Sequence, residues 1–337
     1  MRFLVLLVAL LGVACGKKSA GERVYVTDED GGFVIVIDAS SNEVVARIPV
    51  GKRPRGVRVS PDGTRLYVAL SGSPKSPPGA DPSKIPPPDR SADGIGLIDL
   101  SSLKLARVIP AGQDPELFDV TGDGKRLWVS NEETAEATLV DVDSGQTLRR
   151  VPVGHEPEGV TIHPGGKLVY VTNERDNSVS VLDIESGAQV ALVPVCNRPR
   201  SVAFTGDGLR AFTACEESHS LSIIDARTQT RAGDLDLPGE GVRPMGLALS
   251  PDGRTLYATG GRGKTVHVIE LGEGAPRVKS TITDAGERPW GIGLTRDGEK
   301  LYTANGRSGD VSVIDTAKGV VLQRIAVGGS PWGIAIR

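Results

Sequence analysis

A unit of 42 to 45 residues recurs along the chain and limits its possible folds more than any other feature. Each unit has one strand-like run around an aromatic residue, and these residues are Tyr25, Tyr67, Trp128, Tyr170, Phe212, Tyr257 and Tyr302. Each unit also has an apolar run that ends in an acid, and these acids are Asp38, Asp99, Asp141, Asp183, Asp225, Glu270 and Asp315. Repeats of this length are typical of propellers and solenoids, in which each unit buries its apolar faces against its neighbours.

One interval in each series is longer, at 61 residues. The two long intervals overlap between Tyr67 and Asp99, which places an insertion at residues 71–92, SGSPKSPPGADPSKIPPPDRSA. Its proline content predicts an extended, polyproline-like loop without a core of its own. A long loop in a compact domain favours a lid or a docking arm, and a neutral surface insertion is the alternative.

Six turns of the type Ser-Pro-Asp-Gly, as at residues 60–63, also recur, and each favours a tight hairpin because glycine supplies a positive φ. We interpret each unit as four strands, A to D from the centre outward. The chain begins on a strand B, at 23–27, and ends on a strand A, at 332–337. We therefore predict an all-β, seven-bladed β-propeller of four-stranded antiparallel blades over residues 23–337. The C-terminal strand would close the ring by pairing with the N-terminal strands, which removes open sheet edges. Two β-sandwich domains are the alternative, but the repeats cross every plausible midpoint.

The chain starts with MRFLVLLVALLGVAC, in which Arg2 precedes an apolar run that is too short to span a bilayer. This pattern predicts a signal peptide over residues 1–14. The string that ends at Cys15 resembles a bacterial lipobox, although Gly12 stands where leucine is usual. We expect Cys15 to carry a lipid, residues 15–22 to form a linker, and the protein to reach the periplasm or the outer membrane. Ordinary cleavage after Ala14 is the alternative.

Charge and cysteine content limit the partners. A formal net charge of −3, with no basic stretch, argues against nucleic acid, and membrane contact is expected through the lipid anchor only. Beyond Cys15 the chain has Cys196 and Cys215, and an exported compartment permits a disulfide between them. No metal site is predicted, because the cysteines lack a Cys-x-x-Cys spacing.

The connections from strand D to strand A repeat as x-Pro-x and are expected at one end of the central channel, together with the B–C connections. We call this end the channel mouth. Arginine beside rigid aromatic residues is typical of specific binding sites, and water-filled ion pairing with a tryptophan plug is the alternative. The candidate partner-binding or ligand-binding residues are Arg53, Arg55, Glu116, Glu158, Arg198, Arg200, Arg243, Arg288, Trp290 and Trp332.

Motifs for catalysis are missing from the sequence: no Gly-x-Ser-x-Gly elbow, His-Glu-x-x-His pair, phosphate loop or haem-attachment motif occurs. The acid of each repeated apolar run is expected to cap the following turn. We therefore assign no catalytic residue and no cofactor. An enzyme stays open, since propellers can assemble sites from scattered single residues.

Several strings resemble a known family. VYVTN at 169–173, GVRVSPDGTRLYV, VSVLD and IPVGKRPRGV resemble the YVTN (YncE-like) family of prokaryotic propellers, and the likeness extends over all seven units. GQDPELFDVTGDGK, GHEPEGV, NRPRSVAFTGDG and the ending PWGIAIR further resemble propellers associated with pyrroloquinoline quinone (PQQ)-dependent catabolism. The resemblance implies an exported protein linked to periplasmic alcohol oxidation.

These observations favour a monomeric, non-catalytic binding or scaffold module. It would hold a protein partner or a small ligand at the channel mouth, as an accessory to PQQ-dependent alcohol oxidation. A lactonase similar to the 6-phosphogluconolactonase propellers is the first alternative. A carrier of PQQ or haem d1 is the second.

Overall fold

The computed structural model describes residues 21–75 and 81–337, and within them the predicted seven-bladed propeller is confirmed. Twenty-eight strands of the described residues form seven four-stranded antiparallel sheets. The inner strands of successive blades contact one another in a closed ring. From the inner to the outer strand, the blades are blade 1, β28 Pro331–Ile336, β1 Arg23–Asp28, β2 Phe33–Asp38 and β3 Glu43–Pro49; blade 2, β4 Val57–Val59, β5 Arg65–Leu70, β6 Gly94–Asp99 and β7 Lys104–Ile109; blade 3, β8 Pro115–Val120, β9 Arg126–Asn131, β10 Glu136–Asp141 and β11 Thr147–Pro152; blade 4, β12 Pro157–Ile162, β13 Leu168–Asn173, β14 Ser178–Asp183 and β15 Gln189–Pro194; blade 5, β16 Pro199–Phe204, β17 Arg210–Cys215, β18 Ser220–Asp225 and β19 Thr230–Asp236; blade 6, β20 Leu247–Leu249, β21 Thr255–Thr259, β22 Val266–Glu270 and β23 Arg277–Ile282; blade 7, β24 Pro289–Leu294, β25 Lys300–Asn305, β26 Asp310–Asp315 and β27 Val320–Ala326.

The ring closes through the C-terminal strand, as predicted. β28 pairs antiparallel with β1, with Val26 opposite Ile334 and a bulge toward the mouth. The backbone N–H of Arg337 donates to the carbonyl of Arg23 at 2.9 Å. Blade 1 is therefore built from both ends of the chain, and its inner strand comes from the C-terminus.

The core lies between blades rather than in one centre. Strands B and C are buried on both faces because each blade is covered by a neighbour on either side, whereas the outer strands are mostly exposed or half-buried. One apolar cluster, for example, joins Tyr302 and Val311 of blade 7 to Val24 and Ile35 of blade 1. Equivalent clusters fill the other six junctions, so each blade is stabilised mainly by its neighbours.

The repeated turns use side-chain caps. Asp62 accepts hydrogen bonds from the Ser60 hydroxyl at 2.6 Å and from the Thr64 N–H at 3.0 Å, and Gly63 has φ of 63°. At the C–D turn of blade 1, at the same end of the ring, Asp38 accepts from the backbone N–H of Ser40 at 2.8 Å. The turn-capping role predicted for the acids that end the repeated apolar runs is thus confirmed at Asp38.

The proline-rich loop, residues 71–92, joins strands B and C of blade 2. The sequence predicted an extended polyproline-like segment, but the described parts include two 3₁₀ helices, Pro82–Lys84 and Arg90–Ala92. Asp89 caps the second helix, and its carboxylate also lies 2.8 Å from the Lys52 ammonium. Side-chain caps of this kind favour tight turns over an extended chain. Two further 3₁₀ helices, Glu132–Thr134 and Gly261–Gly263, lie in the B–C connections of blades 3 and 6.

The predicted signal peptide at 1–14 and the lipidation site at Cys15 lie outside the described residues. Within 21–75 and 81–337, no helix is long and apolar enough to cross a membrane.

Candidate functional site at the channel mouth

The structure separates the predicted mouth residues into two layers. A proline opens the inner strand of most blades, a position that tolerates the loss of its N–H. The residue after that proline turns into the channel, and these residues form a buried floor in six blades: Arg55, Glu116, Glu158, Arg200, Met245 and Trp332. Trp290, the seventh, is only half-buried. The residues before the prolines form a rim, which is partly exposed at Arg53, Glu156, Arg198, Arg243, Arg288 and Ser330.

The floor narrows the channel. Below it, a cavity of about 80 Å³ is lined by residues of all seven inner strands. Glu158, Arg200, Met245, Trp290 and Trp332 contribute to its lining from the mouth side. A ligand approaching the mouth would therefore meet the rim first.

One ion-pair cluster surrounds Arg200. Its guanidinium contacts the carboxylates of Glu158 and Glu174 and lies 3.3 Å from that of Glu216. Arg198 on the rim contacts two of the same acids, Glu174 at 2.5 Å and Glu216 at 3.1 Å. Two arginines and three glutamates from blades 4 and 5 therefore pair with one another across the blade boundary.

A second cluster surrounds Arg55. Its guanidinium contacts Asp114 and Glu116 and lies 3.7 Å from Glu132. These three acids lie close enough together that they could hold a metal ion. The Arg55 cation already occupies the space among them, and the Ser71 hydroxyl also donates to Asp114. Arg55 thus supplies, from within the protein, the positive charge that a metal ion would bring to these acids.

Burial changes the acidity of this sector. Burial raises the pKa of Glu158 well above its usual range, although the Arg200 charge opposes the change. Burial likewise raises the pKa of Glu132 and Glu156, and in both cases the Glu174 carboxylate adds to the effect. For Glu174 the pKa is lowered, because the charges of Arg200 and Arg198 outweigh the burial. The mouth thus contains carboxyl groups of unequal acidity.

Sequence reasoning missed the acids of the B–C connections, Glu29, Glu132, Glu174 and Glu216. Each is the fourth residue after the aromatic of its repeat, as Glu174 is after Tyr170. That fixed offset was a visible signal. In the other three blades the same offset carries Ser71, Gly261 and Gly306.

The two tryptophans of the mouth are brought together. The ring centres of Trp290 and Trp332 are 5.3 Å apart, with the planes inclined by 32°. The guanidinium carbons of Arg200 and Arg288 lie 5.1 Å and 4.5 Å from the centre of the Trp290 ring, within range for cation–π attraction. Four predicted residues thus form one contiguous group.

The rim of blades 6 and 7 is basic. Among the described residues, no carboxylate lies within 4.0 Å of the charged groups of Arg262, Arg288 or Arg307, and Arg243 has only Glu216, at 3.6 Å. Burial lowers the pKa of Arg288; the Glu216 carboxylate opposes this change, and the charges of Arg200, Arg262 and Arg307 add to it. The mouth is therefore acidic around blades 3 to 5 and basic around blades 6 and 7.

The proline-rich loop lies over the rim of blades 1 to 3. Lys75 contacts the carboxylates of Glu29 at 2.8 Å and Asp30 at 2.9 Å on blade 1. Arg53 also pairs with Glu29, at 2.9 Å, and donates to the Ser73 carbonyl at 2.6 Å. The described part of the loop is thus fastened to the mouth by charged side chains.

A disulfide joins Cys196 to Cys215 at the same end of the ring. Cys196 precedes the connection that carries Arg198, and Cys215 ends β17, directly before Glu216. The disulfide therefore links the segment that carries Arg198 to the segment that carries Glu216, and these two residues form an ion pair.

Comparison with known proteins supports the fold class. Residues 80–167 match the model of the YNCE-like beta-propeller family. That segment runs from the proline-rich loop into blade 4. No curated protein matches the chain.

Several solved structures of differently named proteins share the fold of this chain. A putative 6-phosphogluconolactonase from Bacteroides fragilis is 16% identical, with a TM-score of 0.78 over 95% of this chain and 99% of that one. The Pseudomonas aeruginosa periplasmic gluconolactonase is 20% identical, with a TM-score of 0.73 over 94% and 98%. The dihydro-heme d1 dehydrogenase NirN is 16% identical, with a TM-score of 0.65 over 93% and 74%. At these identities the similarity is one of fold.

Proposed function

We propose that this protein is an exported, lipid-anchored binding module that holds a partner or ligand at its channel mouth without catalysing a reaction. The resemblance of its x-Pro-x connections to PQQ-associated propellers favours an accessory role in periplasmic alcohol oxidation. The observation that carries the proposal is the unequal pairing of charge at the mouth. The floor arginines are neutralised internally, whereas Arg288 lies beside half-buried Trp290 with no carboxylate within 4.0 Å among the described residues.

The two layers suggest different roles for the predicted residues. Arg55 and Arg200 are buried in ion pairs and serve to hold the floor rather than to contact a ligand. Arg243 and Arg288 on the rim, with the half-buried Trp290 beside Arg288, are accessible and form the contact surface that we propose. Arginine and tryptophan are enriched at the centres of binding interfaces because they combine apolar area with directed hydrogen bonds.

Photo-crosslinking from the mouth tests this role. A photoreactive amino acid at position 307, in the exposed B–C connection of blade 7, should give a discrete adduct in the envelope of the native host. The matched control is position 254, which is exposed on the opposite face of the ring. The adduct should disappear when Trp290→Ala is added. Equal adducts from both positions, or an adduct that survives Trp290→Ala, would contradict the proposed binding face.

Lipid anchoring is tested separately. Metabolic labelling with an alkyne analogue of palmitate should mark the wild-type full chain and leave Cys15→Ser unlabelled. The cysteine thiol is the attachment point, so serine removes the modification. An unlabelled wild-type protein with a free N-terminus after residue 14 would support ordinary signal cleavage instead.

A lactonase is the second candidate, and one observation favours it. Glu132 and Glu156 are partly exposed at the mouth and have raised pKa values, a property of general acids and bases. The purified protein should then open lactones, and the double variant Glu132→Gln/Glu156→Gln should lose that activity while remaining folded. Turnover with this dependence would replace the non-catalytic proposal, and no turnover across a lactone panel would remove the candidate.

A further inference from the structure

Arg198 and Arg288 occupy the same position in two different blades. Each precedes the proline that opens the inner strand, and each has a positive φ, 59° and 57°. The backbone N–H of Glu216 donates to the carbonyl of Arg198 at 2.9 Å. In the same way, the N–H of Gly306 donates to the carbonyl of Arg288 at 3.2 Å. The two connections therefore have equivalent backbone geometry, and their side chains can be compared directly.

The acids that serve Arg198 are missing around Arg288. Arg198 contacts Glu174 of the preceding blade and Glu216 of its own blade. At the same offset from the repeat aromatic, the blades that flank Arg288 carry Gly261 and Gly306. Arg288, which lies against Trp290, therefore has a glycine at each of the two positions where Arg198 has a glutamate.

Two further arginines stand near Arg288. Arg262 and Arg307 follow the two glycines. Burial lowers the pKa of Arg288, the more distant Glu216 carboxylate opposes this, and the charges of the neighbouring arginines add to the lowering. No carboxylate of residues 21–75 or 81–337 lies within 4.0 Å of any of the three guanidinium groups. A half-buried cation with no carboxylate in direct contact is stabilised by an anion that enters from outside.

We propose that Arg288, with Arg262 and Arg307, binds the carboxylate of a small organic acid, which takes the place of the two absent glutamates. Guanidinium groups match carboxylates in a planar, two-bonded geometry. The half-buried Trp290 ring beside Arg288 offers an apolar surface, so the acid that fits best carries a ring next to its carboxylate. This inference rests on the proposed use of the mouth as a binding face.

The repeat itself supplies the decisive substitution. At Gly306 a Cβ would lie no closer than 3.3 Å to another atom, the Pro331 carbonyl oxygen, and φ is not positive. Gly261 is unsuitable because its φ is +52° and a Cβ would lie 2.3 Å from the Arg243 carbonyl oxygen. Gly306→Glu therefore restores one of the repeat's own acids beside Arg288. Gly306→Gln, with the same shape and no charge, is the matched control.

Binding of benzoate and of benzene-1,3-dicarboxylate to the wild-type protein and to both variants is measured by calorimetric titration and by tryptophan fluorescence. The wild type should bind both acids and should not bind benzyltrimethylammonium. Gly306→Glu should weaken acid binding by about tenfold or more, because an internal carboxylate competes for the same arginine. Gly306→Gln should remain within about threefold of the wild type.

Absence of saturable acid binding by the wild type would overturn the inference, as would equal affinities of Gly306→Glu and Gly306→Gln. Should Gly306→Glu fail to fold, Arg288→Gln is compared with Arg254→Gln on the opposite face, and equal affinities would again overturn it. A mouth-specific crosslink from position 307 without acid binding would leave the binding face standing and remove only the organic acid.

Discussion

Arg200 and Glu158 form an ion pair between adjacent blades, and both side chains are less than a tenth exposed. Each residue follows the proline that opens its inner strand, so the pair joins equivalent positions of blades 5 and 4. Glu174 contacts the same guanidinium. The floor of the mouth is thus held by charges that cross a blade boundary, and removing one of them leaves others buried without compensation.

Arg200→Met should lower the free energy of unfolding by about 3–5 kcal/mol, because Glu158 and Glu174 would lose their buried partner. Arg198→Met is the control, since the Arg198 side chain is 40% exposed and the change should cost about 1 kcal/mol or less. Equilibrium unfolding in urea, followed by tryptophan fluorescence, measures both. Equal losses for the two variants would contradict the buried role of Arg200.

Alanine substitutions of Trp332 and Trp290 should have different effects, the first mainly on stability and the second mainly on binding. Trp332 is 6% exposed in the floor, so Trp332→Ala should destabilise the ring by about 3–5 kcal/mol through the cavity that it leaves. Trp290→Ala should cost about half as much or less, since that ring is only half-buried. Unfolding free energies and the position-307 crosslink are measured on both variants. A Trp290→Ala protein that is as destabilised as Trp332→Ala would assign Trp290 to the floor.

The disulfide should stabilise the mouth end of blade 5. Cys196 and Cys215 are 19 residues apart, and closing a loop of that length contributes about 3 kcal/mol in the chain-entropy description. The double variant Cys196→Ala/Cys215→Ala should therefore melt at a lower temperature than the oxidised wild type. A reducing agent should lower the melting temperature of the wild type and leave that of the variant unchanged. A wild type that is insensitive to complete reduction would disprove the contribution.

His267 should make the fold sensitive to mild acid. Burial lowers its pKa to about 4, while a histidine in the unfolded chain takes up a proton near pH 6.5. Between these values the unfolded chain binds the extra proton, so stability is fully present above about pH 6.5 and decreases as the pH falls toward 4. The loss over that window should approach about 3 kcal/mol.

The pH effect is measured as the difference in unfolding free energy between the wild type and His267→Gln at pH 7, 6 and 5. The variant should show a flatter dependence, since glutamine does not titrate. Parallel curves for the two proteins would mean that His267 stays neutral in both states or titrates in both.

Most of the fold was predictable from the sequence because it repeats. Seven aromatics at near-constant spacing, alternating apolar residues and the Asp-Gly turns specify a strand order that is the same in every blade. The chain starts on a strand B and ends on a strand A, and that offset predicted the pairing of β28 with β1. The two short 3₁₀ helices in the described part of the proline-rich loop were not predicted, because a local cap such as that by Asp89 is a tertiary detail that composition does not show.

The candidate site was predicted only in part. The x-Pro-x connections led to ten candidate residues at one end of the channel, because a repeated position lies on one ring in any propeller. The same reasoning did not separate Arg200 in the floor from Arg198 on the rim, although the two are neighbours across Pro199. Their difference arises from the direction in which each side chain leaves the backbone.

By itself, the sequence determined the number of blades, the closure of the ring and the end of the channel at which polar residues gather. Only the tertiary structure decided which charges neutralise one another. Arg198 finds Glu174 of the preceding blade and Glu216 of its own blade, whereas Arg288 finds Gly261 and Gly306 in the equivalent places. Ion pairing depends on distances of a few ångströms between blades, and no pattern within a single repeat contains those distances.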